Sequence, residues 1–301
     1  MGRPFIVACI PAYNEEKSIA SVIVQTMKHA DQVIVCNDGS SDMTGDIAEK
    51  LGAVVLTHKQ NRGYGASIAT LLEKAREMQA DIIVTIDSDG QHDPAYIQSL
   101  VQPIIDGQAD IVIGSRFLSS PHTVEDQTSS YRKFGIKTIT KISNAVSKTN
   151  LTDSQSGLRA YGKRAINALF ITEQGMGAST EIIMKAMALG LSVMEVPISI
   201  KYGEDTSTHN SLYHGIDVVI STLKFVSIQH PLRFYGIPGV ISIALAIFFG
   251  SLALQIYSAE GRLVTNVALL SMGFLMIGLV LMTTSVILYV VINVVRETRR
   301  V

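Results

Sequence analysis

Two long stretches without a charged residue near the C-terminus constrain this chain more than any other feature of its sequence. No Asp, Glu, Lys or Arg lies between Arg233 and Glu260, and none lies between Arg262 and Arg296. A helix needs roughly 20 apolar residues to cross a bilayer core of about 30 Å, whereas a core helix of that length in a soluble protein normally carries a polar face. The sequence therefore predicts two transmembrane helices and a short tail within residues 234–301.

The basic residues around these stretches predict the orientation of the hairpin. They flank its two outer ends: Lys224, Arg233, Arg296, Arg299 and Arg300. The positive-inside rule then places both ends in the cytoplasm. The apolar run at the N-terminus ends at Pro11 and is too short for a signal peptide. We expect a multi-pass protein of the cell membrane, or of the endoplasmic reticulum membrane in a eukaryote, with its N-terminal domain in the cytoplasm.

The first 115 residues alternate between strand-like and helix-like segments. Strands are predicted at 5–10, 32–36, 53–58, 81–86 and 110–114, and helices at 15–29, 42–51, 63–78 and 94–106. This alternation predicts an α/β domain with a mostly parallel sheet covered by helices on both faces. Ligands bind such sheets at the carboxyl ends of the strands, which selects the loops 11–15, 37–42, 61–65 and 87–93.

The loop after the fourth predicted strand carries the strongest chemical signal, Asp87-Ser88-Asp89-Gly90-Gln91-His92-Asp93. Two carboxylates separated by one residue form a hard oxygen site that suits Mg²⁺ or Mn²⁺ and phosphate oxygens. An isolated Asp-x-Asp is often only a surface turn. Its position at a strand end of an α/β sheet favours a metal site.

The other loops offer weaker signals for a nucleotide. Tyr13 could stack on a base, and Glu15 and Asp38 could accept hydrogen bonds from a base or ribose, although the Asp38 segment also fits an ordinary helix start. Gly63 and Gly65 match a dinucleotide-binding fingerprint only in part. The first strand is not followed by a glycine-rich turn, so a Rossmann dehydrogenase and a nucleotidyltransferase are both disfavoured.

A basic amphipathic helix is predicted at 131–148, after a polar segment at 118–130. Such a helix suits a membrane interface and contact with membrane lipids, the alternative being a solvated basic face. The segment 213–229, which leads into the first apolar stretch, is a second interface candidate. The net charge of −1 indicates no general attraction to nucleic acid.

Taken together, the motifs resemble those of the inverting glycosyltransferases of family 2, which have a GT-A fold. Within that family they resemble dolichol-phosphate mannose synthases and related polyprenyl-phosphate sugar synthases. The resemblance covers about residues 5–235. It depends on six motifs: Pro11-Ala12-Tyr13-Asn14-Glu15, Asn37-Asp38-Gly39-Ser40, Asn61-Arg62-Gly63-Tyr64-Gly65, Asp87-Ser88-Asp89-Gly90-Gln91-His92, Gly114-Ser115-Arg116 and Ser156-Gly157-Leu158-Arg159.

The resemblance implies roles at the donor side of the site. The nucleoside would be held by Pro11, Tyr13, Glu15 and Asp38. Asp87 and Ser88 would contact the nucleotide-sugar. The divalent cation, Mg²⁺ or Mn²⁺, would be bound by Asp87, Asp89 and Gln91, with Asp89 counted among the catalytic residues. Position 37, usually Asp in the family, is Asn here.

The resemblance also implies roles at the acceptor side. Arg116 and Arg132 would bind the phosphate of the acceptor, together with Lys201, which stands where the family has arginine. Asp153 and Glu181 would approach the sugar, with purely structural hydrogen bonds as the alternative.

The reaction implied by the resemblance is the inverting transfer of a hexose from a nucleotide-sugar to dolichyl or polyprenyl phosphate. GDP-mannose is the favoured donor, and UDP-glucose or UDP-N-acetylglucosamine is the alternative. The domains implied are a cytoplasmic glycosyltransferase domain at 1–212, a juxtamembrane helix at 213–233 and the hairpin at 234–301. A processive polysaccharide synthase is excluded because its Gln-x-x-Arg-Trp motif needs a Trp, and the chain has none. An inactive nucleotide-sugar-binding scaffold remains the rival. The sequence indicates no oligomeric state.

Overall fold

The computed structural model describes residues 2–118, 140, 144, 150–200, 227, 231–262 and 264–298, with only the backbone of 293–298. The chain divides into two compact units, Met1–Thr222 and Leu223–Val301. The domain boundaries expected at residues 212 and 233 stay predictions.

The described part of the first unit is an α/β domain built on a seven-stranded mixed sheet in the order β3-β2-β1-β4-β6-β5-β7. The strands are β1 (Ile6–Ala12), β2 (Gln32–Asn37), β3 (Val54–Thr57), β4 (Ile82–Thr85), β5 (Ile111–Ser115), β6 (Arg159–Gly162) and β7 (Val193–Pro197). The helices are α1 (Ile19–Thr26), α2 (Thr44–Lys50), α3 (Tyr64–Glu77), α4 (Ile97–Ile105), α5 (Lys163–Ala168) and α6 (Ala178–Ala188). All strand pairs are parallel except the two made by β6, which runs antiparallel to β4 and β5. The predicted α/β class with a mostly parallel sheet is confirmed.

The central strands are apolar on both sides because helices cover both faces of the sheet. On β1, Ile6, Ala8 and Ile10 pack into one core cluster with α1 and α4, while Val7 and Cys9 pack into the other with α3, α5 and α6. Successive side chains of a strand point to opposite faces, so a nearly continuous apolar run is what a doubly covered strand requires. The cysteines of this part of the chain, Cys9 and Cys36, are both buried free thiols.

Two of the predicted boundaries are wrong for local reasons. β1 extends through Pro11 to Ala12, where a loop was expected. Proline has no N–H to donate to a neighbouring strand, but β1 pairs with β4 only as far as Cys9, so no hydrogen bond between these strands is lost at Pro11. The helix predicted from residue 15 begins only at Ile19, because the preceding residues form a turn in which Glu15 accepts the N–H of Ser18.

The second unit contains two long apolar helices, α7 (Ile237–Glu260) and α8 (Thr265–Thr298). A π-helical turn, Leu232–Gly236, precedes α7. The segments Leu232–Glu260 and Thr265–Ile292 have mean hydropathies of 2.3 and 2.5 and are long and apolar enough to cross a membrane. The chain reverses between α7 and α8 at Gly261, whose φ of 68° is the left-handed conformation typical of a helix end.

Serine hydroxyls join the two apolar helices to each other. Ser242 donates to the carbonyl of Phe274, and Ser271 donates to the carbonyl of Ala246, each at 2.7 Å. Such bonds satisfy hydroxyl groups that would otherwise face an apolar environment without a partner. The hairpin therefore packs as a unit without any ion pair between its described helices.

Several predicted segments lie outside the described residues. They are the helix at 131–148 apart from Thr140 and Asn144, the segment 213–229 apart from Ser227, and the predicted site residues Arg132 and Lys201.

Candidate active site

A crevice opens at the carboxyl edge of the sheet where β1 and β4 separate. Their pairing ends at Cys9 and Thr85, whereas β1 continues beside β2 as far as Ala12. From β1 the chain runs through α1 to β2 on one side, whereas β4, on the other side of β1, is reached from β3 through α3. Such a switch in strand order is where α/β sheets bind ligands. The predicted site loops after β1, β2 and β4 are all at this edge.

The antiparallel strand β6 brings a further segment to the same edge. Its first residue, Arg159, pairs with Thr85 of β4 and Ile113 of β5, both near the carboxyl ends of those strands. Residues 153–158, which lead into β6, therefore reach the crevice from the far side. The sequence did not predict this strand, although its motif Ser156-Gly157-Leu158-Arg159 was part of the family resemblance.

The loop after β4 places two carboxylates together. Gly90, at φ 75°, reverses the chain, and Asp89 accepts the N–H of Gln91 at 3.0 Å. Burial and the charge of Asp87 raise the pKa of Asp89 to about 6. The charge of Asp87 thus disfavours the ionised form of Asp89, and a bound cation would offset that penalty.

Asp87 is the more strongly ionised member of the pair. Burial alone would raise its pKa, but the contact with His92 and the positive charges of Arg116 and Arg159 lower it. Its side chain keeps 31% of its surface exposed, so a ligand can reach it. Ser88, between the two carboxylates, is buried.

The donor set fits a divalent cation that shares its ligands with a substrate. Asp87 and Asp89 supply carboxylate oxygens, and the amide of the buried Gln91 follows in the same loop. Within the described part of the chain, no three His, Cys, Asp or Glu side chains converge into a cage made of protein alone. Mg²⁺ is commonly held by one or two carboxylates, with substrate phosphates and water completing its coordination.

Gly157 lies directly against the carboxylate of Asp87. A methyl group built on Gly157 would overlap both oxygens of that carboxylate. The carbonyl of Gly157 also accepts the hydroxyl of Thr85 at 2.8 Å, which fixes the backbone beside β4. The absence of a side chain at this position is therefore what lets Asp87 take its place in the crevice.

His92, in the loop after β4, is a residue to which the sequence assigned no role. Its ring is 5% exposed, and Nε2 lies 3.4 Å from an oxygen of Asp87. Its backbone forms an isolated antiparallel bridge with Ile200. The ring is thus buried and in contact with Asp87. Only the contact itself reveals this, because a His beside an Asp-x-Asp has no distinctive spacing.

The loops after β1 and β2 are tied together by side chains. Ser40 accepts the N–H of Asn14 at 3.0 Å, and Thr44 accepts the N–H of Glu15 at 2.7 Å. Asn14 has a φ of 55°, which turns the chain sharply after β1. Glu15 and Tyr13 are half-buried, and the charge of Glu15 contributes to the raised pKa of Asp89. The structure therefore brings Glu15 close to the carboxylate pair.

Asp38 has protein partners for both of its carboxylate oxygens. One oxygen accepts the N–H of Arg62 at 2.9 Å and contacts Nδ1 of His58 at 2.6 Å, and the other accepts the N–H of Gly63 at 2.8 Å. The buried Asp38 thus shapes the loop that follows β3. Its expected contact with a nucleoside stays a prediction.

The N-terminus of α3 is occupied by another part of the chain. Gly65 and Ala66 donate their N–H groups to the carbonyl of Gln174, at 2.7 and 3.2 Å. Side chains at Gly63 or Gly65 would collide with the backbone of residues 173–174. These glycines therefore allow close packing of two backbones, and these amides are not offered to a phosphate. This agrees with the weak match to a dinucleotide fingerprint.

Glu181 holds that overlying segment in place. Its carboxylate accepts the N–H groups of Thr172 and Glu173 and pairs with Lys185 at 2.7 Å. Burial alone would raise the pKa of Glu181, but its bonds with Lys185 and Thr172 lower it. The structure gives this residue a full set of protein partners, and its expected approach to the sugar stays a prediction.

Arg116 and Asp153 form a buried pair. Nε and one terminal nitrogen of Arg116 donate to the two oxygens of Asp153 at 2.5 and 2.7 Å. Their side chains are 11% and 0% exposed. Arg116, predicted to bind the acceptor phosphate, and Asp153, predicted to approach the sugar, are thus in direct contact at the carboxyl end of β5.

Arg159 is a buried arginine to which the sequence assigned no role of its own, beyond its place in the motif Ser156-Gly157-Leu158-Arg159. It is 1% exposed, and it donates to the carbonyls of Ser154 and Ser156 at 2.7 and 2.8 Å and of Ser179 at 3.2 Å. These bonds hold the segment before β6 and join it to the start of α6. The charge of Arg159 also helps to lower the pKa of Asp87, so the arginine that holds this segment also favours the ionised form of that carboxylate.

Comparisons with known proteins agree with this arrangement. Residues 7–170 match the model of the family described as glycosyl transferase family 2. The chain is 34% identical over 242 residues to the UDP-N-acetylglucosamine–dolichyl-phosphate N-acetylglucosaminyltransferase of Methanococcus voltae, covering 73% of this chain and 93% of that relative. It is 30% identical to the undecaprenyl-phosphate mannosyltransferase of Micrococcus luteus, covering 64% and 82% of the two chains.

A solved structure shares the fold. Glucosyl-3-phosphoglycerate synthase from Mycobacterium tuberculosis, crystallised with Mn²⁺, uridine diphosphate and phosphoglyceric acid, superposes with a TM-score of 0.60 at 21% identity. The match covers 73% of this chain and 78% of the other. At this identity the similarity concerns the fold alone, and it confirms the GT-A architecture expected from the motifs.

Proposed function

This chain belongs to glycosyl transferase family 2, and from that premise we propose that it transfers a sugar from a nucleotide-sugar to a polyprenyl phosphate at a membrane surface. Its activity as a glycosyltransferase follows from the family. The donor, the acceptor, the cation and the roles of individual residues belong to the proposal.

The observation that carries the proposal is the carboxylate pair Asp87 and Asp89 in the crevice between β1 and β4. A nucleotide-sugar brings a diphosphate, which needs a cation, and this pair is the cation site that the described residues offer. A polyprenyl phosphate brings a long apolar tail. The two helices long and apolar enough to cross a membrane support an acceptor that stays in a bilayer, as do the names of the two relatives.

UDP-N-acetylglucosamine is the donor we propose to test first. The resemblance of the motifs alone favoured GDP-mannose, with UDP-glucose and UDP-N-acetylglucosamine as alternatives. The Methanococcus relative, which is named for UDP-N-acetylglucosamine, matches more of this chain at higher identity than the Micrococcus mannosyltransferase does. GDP-mannose is the second candidate.

The residues of the crevice suit a reaction that depends on positioning and charge. Asp87, Asp89 and Gln91 would hold Mg²⁺ or Mn²⁺. When bound, the cation supplies positive charge that offsets the charge developing on the departing diphosphate. Pro11, Tyr13, Glu15, Asp38 and Ser88 are proposed to bind the donor. A polyprenyl monophosphate is already anionic near neutral pH, so its oxygen can attack the anomeric carbon without a dedicated general base, and catalysis rests on orientation and electrostatics.

Arg116 and Arg132, with Lys201, are proposed to bind the phosphate of the acceptor. Guanidinium groups bind phosphate well because they donate two parallel hydrogen bonds. One charge-assisted hydrogen bond contributes about 1.5–3 kcal/mol, so we expect Arg116→Ala or Arg132→Ala to lower acceptor use about ten- to a hundredfold. Varying each substrate separately measures this. Loss of donor binding with unchanged acceptor kinetics would move these residues to the donor side.

The proposal is tested by incubating the membrane-embedded protein with a panel of radiolabelled donors and polyprenyl phosphate. We expect label from one nucleotide-sugar to enter the lipid fraction in the presence of Mn²⁺, and Asp89→Asn to prevent it. A protein that binds a labelled donor but transfers nothing to lipid would instead be the inactive scaffold.

The arrangement in the membrane is also part of the proposal. We place residues 1–212 in the cytoplasm, 213–233 at the interface and 234–301 as a two-span hairpin. The basic residues at the outer ends of the hairpin support this orientation, and the location is a cell membrane, or the endoplasmic reticulum membrane in a eukaryote.

A further inference from the structure

Glu195 on β7 binds a single turn of the chain with both of its carboxylate oxygens. Oε1 accepts the N–H groups of Thr152 and Asp153 at 3.0 and 2.8 Å. Oε2 accepts the N–H and the hydroxyl of Thr152 at 2.8 and 3.0 Å. The hydroxyl of Thr152 also lies 2.6 Å from that of Ser115, at the end of β5.

The turn that Glu195 holds carries the partner of Arg116. Asp153 accepts three bonds from Arg116, one from its backbone N–H at 3.2 Å and two from the guanidinium at 2.5 and 2.7 Å. β5 and β7 are paired in register, with Ile113 opposite Glu195. The glutamate and the arginine are therefore attached to neighbouring strands and meet through the turn between them.

We propose that Glu195 is a positioning residue that fixes the guanidinium of Arg116 through the Thr152–Asp153 turn. A carboxylate suits this task because both of its oxygens accept hydrogen bonds, as both do here, whereas an amide side chain has only one acceptor oxygen. The Arg116–Asp153 pair is buried, and the orientation of a buried pair depends on its remaining hydrogen bonds being satisfied. The consequence for acceptor use rests on the proposed function; the consequence for Arg116 itself does not.

Asp110 offers a matched control at the opposite end of β5 and β7. It accepts the N–H and the hydroxyl of Ser192 at 2.8 and 3.0 Å and pairs with Arg164 at 3.1 Å. This is the same kind of carboxylate contact with a serine and an arginine, but at the edge of the sheet away from the crevice. Asp110→Asn therefore controls for the general cost of removing such a carboxylate.

The first experiment follows Arg116 directly. Solvent exchange of arginine Nε–H groups is measured by nuclear magnetic resonance on the full chain in detergent, with the Arg116 signal assigned by its loss in Arg116→Lys. We expect Glu195→Gln to speed exchange of the Arg116 Nε–H about tenfold or more, because the bond to Asp153 loosens. Asp110→Asn should leave it unchanged.

A milder variant keeps this test decisive if Glu195→Gln does not fold. Thr152→Val removes only the hydroxyl bonds to Glu195 and Ser115, and we expect it to speed the same exchange to a smaller degree. If Glu195→Gln folds and its Arg116 Nε–H exchanges at the wild-type rate, the proposal is overturned. If only Thr152→Val folds, a wild-type exchange rate in that variant overturns it.

The second experiment is a double-mutant cycle on sugar transfer. Glu195→Gln should lower acceptor use about tenfold in the wild-type background, with near-normal donor binding. In the Arg116→Ala background it should change acceptor use by less than about twofold, because a residue that acts through Arg116 has no further effect once Arg116 is gone. An equal loss in both backgrounds would show that Glu195 acts independently and would overturn the proposal. Wild-type protein that transfers no sugar would refute the proposed function, and the exchange experiment would still decide the role of Glu195.

Discussion

Replacing Gly157 by alanine should damage the active site while sparing the fold. The new methyl group would overlap both oxygens of the Asp87 carboxylate. The backbone at Gly157 cannot easily retreat, since its carbonyl is bonded to Thr85 and the next residue but one begins β6. The carboxylate is the far end of a side chain, so it is the part that moves.

The size of the effect follows from the overlap. Ordinary contact with a methyl carbon begins at 3.4 Å, so the carboxylate of Asp87 has to shift by about 1 Å. A misplacement of about 1 Å in a reacting geometry can cost about a hundredfold in rate, which corresponds to about 2.7 kcal/mol of activation free energy. The loss of folding free energy should stay near about 1 kcal/mol, the centre of the range for single substitutions, because no core packing is disturbed.

The assay pairs Mn²⁺ binding, followed by electron paramagnetic resonance, with turnover and thermal unfolding. Gly162→Ala is the matched control, because Gly162 ends the same strand at the opposite edge of the sheet and its added methyl would crowd Ile104 at 2.9 Å instead of a carboxylate. We expect weaker Mn²⁺ binding and slower turnover for Gly157→Ala. Gly162→Ala should keep wild-type Mn²⁺ binding and turnover, and its contact with Ile104 should lower only the unfolding temperature. Wild-type Mn²⁺ affinity and turnover in Gly157→Ala would refute the reasoning.

Three further predictions follow from the site and the hairpin. Asp89→Asn should abolish turnover in a protein that still folds, and full turnover by the wild type in EDTA would contradict the need for a cation. Glu181→Gln should lower the unfolding temperature at neutral pH. Burial would raise the pKa of Glu181, but its bonds, chiefly with Lys185, lower it, so the carboxylate stabilises the fold above its unfolded pKa of about 4.3. That contribution is lost as the pH falls through the folded pKa, so the unfolding temperature of the variant should decline less steeply below about pH 4. A reporter fused after Val301 should read as cytoplasmic and one inserted near Ser258 as external, and two reporters on the same side would exclude the two-span hairpin.

The parallel part of the sheet was predictable because its strands carry a strong local signal. The runs on β1, β2 and β4 are nearly all apolar, and each ends at polar residues. β6 carries no such signal, because it has only four residues, and its first and last are Arg159 and Gly162. It becomes a strand through pairing with β4 and β5 on both sides, which depends on residues more than 40 positions away in the chain.

The residues of the candidate site differ in the same way, since some have a local sequence signal and others depend on contacts with distant parts of the chain. The Asp87–Gln91 loop could be predicted because the ligands proposed for the cation all lie in one short segment that begins two residues after the end of β4. The partners of Asp38, Asp153 and Glu181 could not, because each makes bonds that depend on the tertiary fold. The glycines after β3 show the limit most clearly, since Gly63 and Gly65 accommodate the carbonyls of Gln174 and Glu173, more than 100 residues along the chain.

We propose that the sugar itself, without its phosphate, is transferred to a lipid phosphate. The most direct measurement identifies both products of one turnover, the released nucleotide by chromatography and the lipid by mass spectrometry and nuclear magnetic resonance. We expect a nucleoside diphosphate and a sugar joined to the polyprenol through a single phosphate, with the anomeric configuration opposite to that of the donor. A nucleoside monophosphate with a lipid diphosphate, or a sugar with retained configuration, would contradict it.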